Sequence, residues 1–534
     1  MNGDVQPEPG AEAPSWSALL ADFRGRPLDE LREILDASAP GSLRYRVALI
    51  VRSEHVAADE LITGPSGDGQ AGTPPTPPVR GPMEWKRNDM GNGERLVATH
   101  GRDLRFCRAW DDWLAWDGTR WRPGAEGEAM RRAKATVRRI WQDVADVGGD
   151  GGVKLAKWAR ASGNVSRLRA MLATASSEPG IEVEPSALDA DPWTLNAANG
   201  TVDLRTGELR PHRREDLCTK RVPVPYHEAA EAPRWRQFLR EVFEGDAERV
   251  AFVQRAAGYA LTGSTREQAL FILYGTGANG KSVFLETLAH VLGDYAQSAR
   301  AELLMQRRQS GGPSEAEAAL HGARLVTTSE TNAGGRFDEA TVKRLTGSDT
   351  IRARRLYQQE FEFEPTHKIW FATNHRPEIT GTDYAIWRRL HLIPFGRRFG
   401  PDERDEGLTA VLRHEAPGVL RWAVEGCLAW QREGLNPPEA VTDATATYRA
   451  EMDVVGAFLD ECCVTDRAEA SVQSTELYDR YRSWCERTGE TAQSHRTFGE
   501  SMTERGFEKK RRSAGYFYLG IGIRSRRGEE GEPF

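Results

Sequence analysis

Runs of uncharged apolar residues alternate with amphipathic stretches through the middle of the chain. ALFILYG (269–275) carries no charge and has the composition of a strand buried on both faces. SVFLETLAHVLG (282–293) repeats its apolar residues at helical spacing and predicts an amphipathic helix. RLVTTSE (324–330) and KIWFATN (368–374) predict two further buried strands, and HLIPF (391–395) a fourth. Strands alternating with helices predict an α/β core.

The flanks are patterned differently. Leu28, Leu31, Ile34 and Leu35 share one helical face, and YRVALIV (45–51) follows. More than half of the positions in 63–82 are Gly or Pro, which sustains neither helix nor sheet and predicts a linker. WLAWDGTRW (113–121) predicts a hairpin turned by Asp117-Gly118 as a type I′ turn. Residues 127–146, 153–176, about 234–261 and 404–435 look helical, and TLNAANGTVDLRTGELRP (194–211) holds a short strand between turns. Residues 453–520 predict a module of helices that ends in a strand–turn–strand ribbon.

Composition narrows the class. The 534 residues are 39% hydrophobic and 28% charged. That is the balance of a soluble globular protein with several cores. No run approaches the roughly 18 uncharged apolar residues of a membrane span. The acidic start MNGDVQPEPGAEAP lacks the features of a secretory signal. Six cysteines without metal-ligand spacing predict a reduced, cytoplasmic protein. The net charge of −7 excludes a chain that coats nucleic acid with its whole surface, yet 505–527 hold eight Lys or Arg against one Glu.

The candidate chemistry starts at Gly275-Thr276-Gly277-Ala278-Asn279-Gly280-Lys281-Ser282, which matches G-x-x-x-x-G-K-[ST]. Glycines let backbone amides wrap phosphate oxygens, and the following helix N-terminus adds positive potential. Lys281 suits the β and γ phosphates of ATP, Ser282 suits Mg²⁺, and Val283 completes the nucleotide-binding stretch. Glu330, at the end of RLVTTSE, is a candidate for holding Mg²⁺ or orienting the attacking water. Ser329 stands where many such enzymes have a second acid. Asn374 ends KIWFATN and offers a carboxamide to the γ-phosphate or the water. Arg388 and Arg389, in AIWRRLHLIPF, are candidates for reaching a nucleotide on a neighbouring subunit. TIRARRLY and EFEFE predict a basic hairpin, with Lys343, Arg352, Arg354, Arg355 and Tyr357 as candidate DNA contacts. Lys509, Lys510, Arg511 and Arg512 lie in the C-terminal ribbon, beside a candidate recognition helix at 494–505. Each feature also has a plainer reading: a strand-end acid, a turn-initiating Asn, a solvated arginine pair, a salt-bridged ribbon.

Taken together, GTGANGKSVF, RLVTTSETN, VKRLTGSDTIRARRLY, KIWFATNHRPEI and AIWRRLHLIPF resemble the superfamily 3 helicases. More narrowly they resemble the phage/plasmid primase–helicase family with its poxvirus relatives. The resemblance implies an AAA+-like P-loop NTPase core that assembles as a ring, usually a hexamer, around DNA. It implies Walker A roles for Lys281 and Ser282, Walker B for Glu330, sensor 1 for Asn374, and an arginine finger at Arg389 with Arg388 in reserve. It also implies an α+β N-terminal extension and a C-terminal winged helix.

The expected division is a helical segment (1–62), a linker (63–89), the extension (90–232), a collar-like helical segment (233–264), the ATPase core (265–400), a helical segment (401–450), the winged-helix-like domain (451–524) and a disordered tail (525–534). The N-terminal primase domain of many relatives is missing from this reading. Asp189 and Asp191 form a DxD-like pair read as loop acids, and a separate primase is an expected partner. The leading expectation is an ATP-dependent DNA helicase of a phage, plasmid or mobile element. The alternatives are an ATP-gated origin-loading ring that does not unwind, and a small-molecule P-loop kinase. The kinase would need neither interface arginines nor basic ribbons.

Overall fold

The computed structural model describes residues 30, 81, 84–306, 315–329, 335–354, 360–379 and 384–524. Glu330, Arg355 and Tyr357 lie outside the described residues, as do the expected tail, nearly all of the N-terminal segment and most of the linker. The chain divides into two units, Met1–Pro75 and Thr76–Phe534, and every described residue except Glu30 belongs to the second.

The second unit is mixed α/β. β1 (Leu104–Cys107), β2 (Asp112–Trp116) and β3 (Trp121–Arg122) form an antiparallel sheet, followed by helices Glu126–Val147, Gly149–Ser162 and Val165–Ala175. The hairpin expected at 113–121 is present, but its loop runs over 117–120 and is longer than a type I′ turn. The Asp117 carboxylate accepts hydrogen bonds from the Thr119 and Arg120 amides at 2.8 and 2.9 Å. This Asx-type bonding holds the longer loop. The helix expected over 153–176 is two helices, broken at Gly163-Asn164.

β4 (Thr194–Ala197), β5 (Gly200–Asp203) and β6 (Glu208–Arg210) form a second small sheet. The next helical stretch is also interrupted, into Pro233–Val242 and Ala247–Leu261. The Asp246 side chain caps the second of these helices by accepting from the Arg249 amide.

The core is a five-stranded sheet: β7 (Leu270–Tyr274), β8 (Ala296–Arg300), β9 (Leu325–Ser329), β12 (Lys368–Thr373) and β13 (Leu390–Pro394), with the hairpin β10 (Ile351–Arg354)–β11 (Glu360–Phe363) between β9 and β12. Its order is β13-β7-β12-β9-β8 and every pairing is parallel. The two-residue period sends side chains to opposite faces. Phe271, Leu273, Trp370 and Ile393 join one core with helices Lys281–Leu292, Ala247–Leu261 and Ala416–Glu433. Leu270, Ile272, Ile369, Phe371 and Leu392 join a second core that includes Val342, Leu345 and Tyr448. β8 was not anticipated, because AQSAR is a partly exposed edge strand without an apolar run.

Two glycines fix how the long helices meet. A Cβ on Gly258 would lie 2.0 Å from the Cys427 nitrogen, and one on Gly426 would lie 2.1 Å from the Gln254 carbonyl oxygen. Helices Ala247–Leu261 and Ala416–Glu433 therefore touch backbone to backbone. The C-terminal region packs helices Val454–Cys462, Ser474–Thr488 and His495–Glu504 against β15 (Ser471–Gln473), β16 (Lys509–Arg512) and β17 (Gly515–Leu519), while β14 (Cys463–Val464) pairs with β18 (Gly522–Ile523).

Candidate functional site

β7 is buried on both sides, and its chain leaves the sheet at Gly275 into the loop that starts helix Lys281–Leu292. Gly277 and Gly280 take φ of +98° and +87°. Such values are open to glycine at little cost. A side chain on Gly275 would strike the Phe395 carbonyl at 2.3 Å, and one on Gly280 would strike Val242 at 2.8 Å. The loop is held from outside as well. Asn279 Nδ2 donates to the Phe395 carbonyl (3.2 Å), and the Phe399 amide donates to the Ala278 carbonyl (2.8 Å). The segment after β13 thus buttresses the loop, a role that the apolar run HLIPF did not reveal.

Lys281 is 6% exposed. Its ammonium donates to the Gly275 carbonyl (2.6 Å), Asn279 Oδ1 (3.1 Å) and Asn374 Oδ1 (3.0 Å). Burial pushes the Lys281 ammonium down to about 8. The neighbouring Thr276, Ala278 and Ser282 are exposed or partly so, as are Gly277 and Val283. The loop therefore presents an accessible surface with a cation beneath it.

Parallel pairing brings the candidate residues to one sheet edge. Thr373 pairs with Tyr274, so Asn374 and Gly275 follow at the same level. Ser329 pairs with Ala372, and the strand that leads to Glu330 thus ends at this edge too. In an open α/β sheet the carboxyl edge is where ligands bind.

The two arginines stand at the opposite edge. Leu390 pairs with Leu270, and the Leu270 amide donates to the Arg389 carbonyl at 2.7 Å. The length of β7, about 16 Å, separates that edge from the loop. Arg389 is 8% exposed and donates to the Ala385 carbonyl, whereas Arg388 is exposed and donates to Gln268. The resemblance favours Arg389, but exposure favours Arg388 as the residue able to reach outward.

In the hairpin, Arg352 pairs with Glu362 through Nη2 (2.7 Å) and Arg354 lies opposite Glu360. Arg352 is therefore engaged within the ribbon. Lys343 is partly buried on helix Glu339–Thr346. Lys509, Lys510, Arg511 and Arg512 are all exposed on β16, with Lys509 and Arg512 lying over Tyr516 and Phe517 at 5.4 and 5.0 Å. Asp189 and Asp191 are loop clamps. Asp189 accepts from the Thr219 amide (2.8 Å), and Asp191 accepts from Trp193 N (3.0 Å) and Thr194 Oγ1 (2.8 Å).

Sequence reasoning missed Arg324 and Lys368, buried where β9 and β12 begin. Arg324 donates to the Leu261 and Thr194 carbonyls (2.7 and 2.8 Å), joining the extension to the sheet. Lys368 donates to the Thr262 and Thr366 carbonyls. The available signal was a cation opening each apolar strand.

Comparison with known proteins finds three family matches along the chain: "D5 N terminal like" over residues 93–244, "Family of unknown function (DUF5906)" over 273–389, and "Poxvirus D5 protein-like" over 450–519. Among individual relatives, a mimivirus (Acanthamoeba polyphaga mimivirus) protein provisionally named helicase L207/L206 is 28% identical over 320 residues, covering 56% of this chain and 33% of that protein. Protein 022R of Frog virus 3, also provisionally named a helicase, is 26% identical, covering 56% and 39%. Protein C962R of African swine fever virus, provisionally named a primase, is 25% identical, covering 56% and 34%. The chain spans about a third of the length of these curated relatives. In three dimensions it is similar to the apo NrS-1 C-terminal region at a TM-score of 0.44 and 10% identity, covering 82% of this chain and all of that one. Among the described residues no helix is long and apolar enough to cross a membrane. The chain is thus similar to D5-type proteins on both flanks, and to viral proteins provisionally named helicase or primase.

Proposed function

We propose that the chain is an ATP-dependent DNA helicase with an AAA+-like P-loop core and a C-terminal winged helix, acting as a ring, most simply a hexamer, in the replication of a virus or mobile element. The observation that carries the reading is the opposition of two edges. Lys281 and Asn374 meet at the carboxyl edge, while Arg388 and Arg389 stand at the amino edge, a strand's length away. A protomer so built cannot offer its own arginines to its own nucleotide. A ring supplies them from the neighbour.

The residues suit a nucleotide. The loop amides and Lys281 would take the phosphates, Ser282 and Glu330 would hold Mg²⁺, and Asn374 would orient the γ-phosphate or the water. Mg²⁺, when bound, would neutralise charge on the phosphates. Lys281 must leave its three oxygen partners to meet the phosphates, so nucleotide exchange is coupled to Asn374. An outward arginine stabilises charge on the transferring phosphoryl group. The hairpin β10–β11 contacts a single strand in the pore, and β16 contacts duplex phosphates.

The test is forked-DNA unwinding with ATP, alongside Lys281→Ala. Strand displacement lost in the variant together with ATP turnover is the expected result. A protein that assembles and hydrolyses ATP yet displaces no strand is a loading ring and not a helicase.

A further inference from the structure

Helix Glu126–Val147 of the N-terminal extension carries Arg131, Lys134, Arg138 and Trp141 at positions i, i+3, i+7 and i+10. That spacing puts all four on one face. The other face, with Ala133, Val137 and Ile140, is buried. The stripe itself faces outward. The Arg131 side chain is 71% accessible, Lys134 and Arg138 are exposed, and Trp141 is 46% exposed. Arg131 pairs with Glu128 at 2.6 Å, while Lys134 and Arg138 make no ion pair among the described residues. Residues 131–169 hold ten Lys or Arg against three Asp, in a chain whose net charge is −7.

Packing does not account for this face. An indole left nearly half exposed forgoes the burial that its large apolar surface would gain. Lys134 and Arg138, four residues apart and of like charge, repel each other without stabilising the helix. We infer that this stripe binds single-stranded DNA outside the ATPase core. The cations follow a phosphate backbone over about 10 Å of helix, and Trp141, about one turn further on, offers a stacking platform at one end. Duplex would satisfy the cations but keeps its bases stacked internally, out of the indole's reach. An acidic polypeptide would have no base to place on Trp141. The inference rests on the proposed reading only in that a helicase generates single strands.

The test uses the full chain and anisotropy of a labelled oligo(dT) across a salt series. Each single-strand phosphate contact adds roughly 0.7 to the slope of log affinity against log salt. Lys134→Gln with Arg138→Gln should therefore lower that slope by about 1.4. Trp141→Ala should weaken binding about tenfold, the scale of one base–aromatic stack, and Trp141→Phe should restore most of it. ATP turnover without DNA should be unchanged in all three. Wild-type slope and affinity in the variants would overturn the inference, as would a wild type that does not bind oligo(dT), or polyglutamate that displaces it as well as unlabelled DNA does. If Lys281→Ala stops turnover while the stripe variants bind normally, the stripe fails and the ATPase reading stands. If the stripe variants lose DNA while Lys281→Ala hydrolyses normally, the reverse holds.

Discussion

Raising the pH from 7 to 9 should weaken nucleotide binding through one residue, Lys281. Its ammonium is buried, bonded among the described residues to uncharged oxygens, and pushed down to about 8. Bound phosphate would hold the proton on, so the free protein must take up a proton to bind once the pH passes 8. With the free-state value at 8, the protonated fraction falls from about nine-tenths at pH 7 to about one-tenth at pH 9. The apparent affinity falls with it about tenfold, or about 1.4 kcal/mol. The loss is slight at pH 7, partial at pH 8, and steepens toward tenfold per pH unit above 9. The assay is titration calorimetry with a non-hydrolysed ATP analogue and Mg²⁺, in two buffers of different ionisation enthalpy. Proton uptake should appear above pH 8. Lys281→Arg, which does not titrate in this range, should bind with much flatter pH dependence. Equal affinity at pH 7 and 9 for the natural protein would refute the reasoning, because it would mean that the lysine is not titrating in the cradle.

Arg388→Ala should keep nucleotide binding and assembly but cut turnover on the order of 10³-fold, the scale of a lost arginine finger, read in a steady-state ATPase assay. Arg389→Ala should instead lower the melting temperature first, because it removes a partly buried hydrogen bond to the Ala385 carbonyl; the opposite ranking would favour Arg389 as the finger. Gly426→Ala should destabilise by about 1–3 kcal/mol in urea unfolding, the usual cost of overpacking. Its methyl group would overlap the Gln254 carbonyl. Arg354→Ala should leave basal ATPase intact and reduce its stimulation by single-stranded DNA, measured as the ratio of the two rates.

How much of this was legible in the sequence depends on where each signal resides. Buried parallel strands are nearly continuous apolar runs, so β7, β9, β12 and β13 stood out. The glycine loop with its lysine is a local motif that one strand and one helix suffice to place. β8 was invisible because AQSAR lies at an edge, where polar side chains meet water and no run forms. The backbone contact between Gly258 and Cys427 joins two helices far apart along the chain, and no local pattern carries that.

The arginine pair shows the limit within the site itself. Both residues look alike in WRRLHL, yet one guanidinium turns inward to the Ala385 carbonyl and its neighbour turns out toward Gln268. Both lie in the turn between helix Tyr384–Trp387 and β13, and that turn shelters one and presents the other. The motif tells that a cation belongs at this corner, burial tells which one is presented, and the register of β13 on β7 places the corner. The same register puts that corner at the far end of the sheet from Lys281. The ring hypothesis therefore does not need the arginines to be identified correctly. It needs only that both lie a strand's length from the glycine loop of their own protomer, so that whichever one is presented can serve only across a subunit boundary.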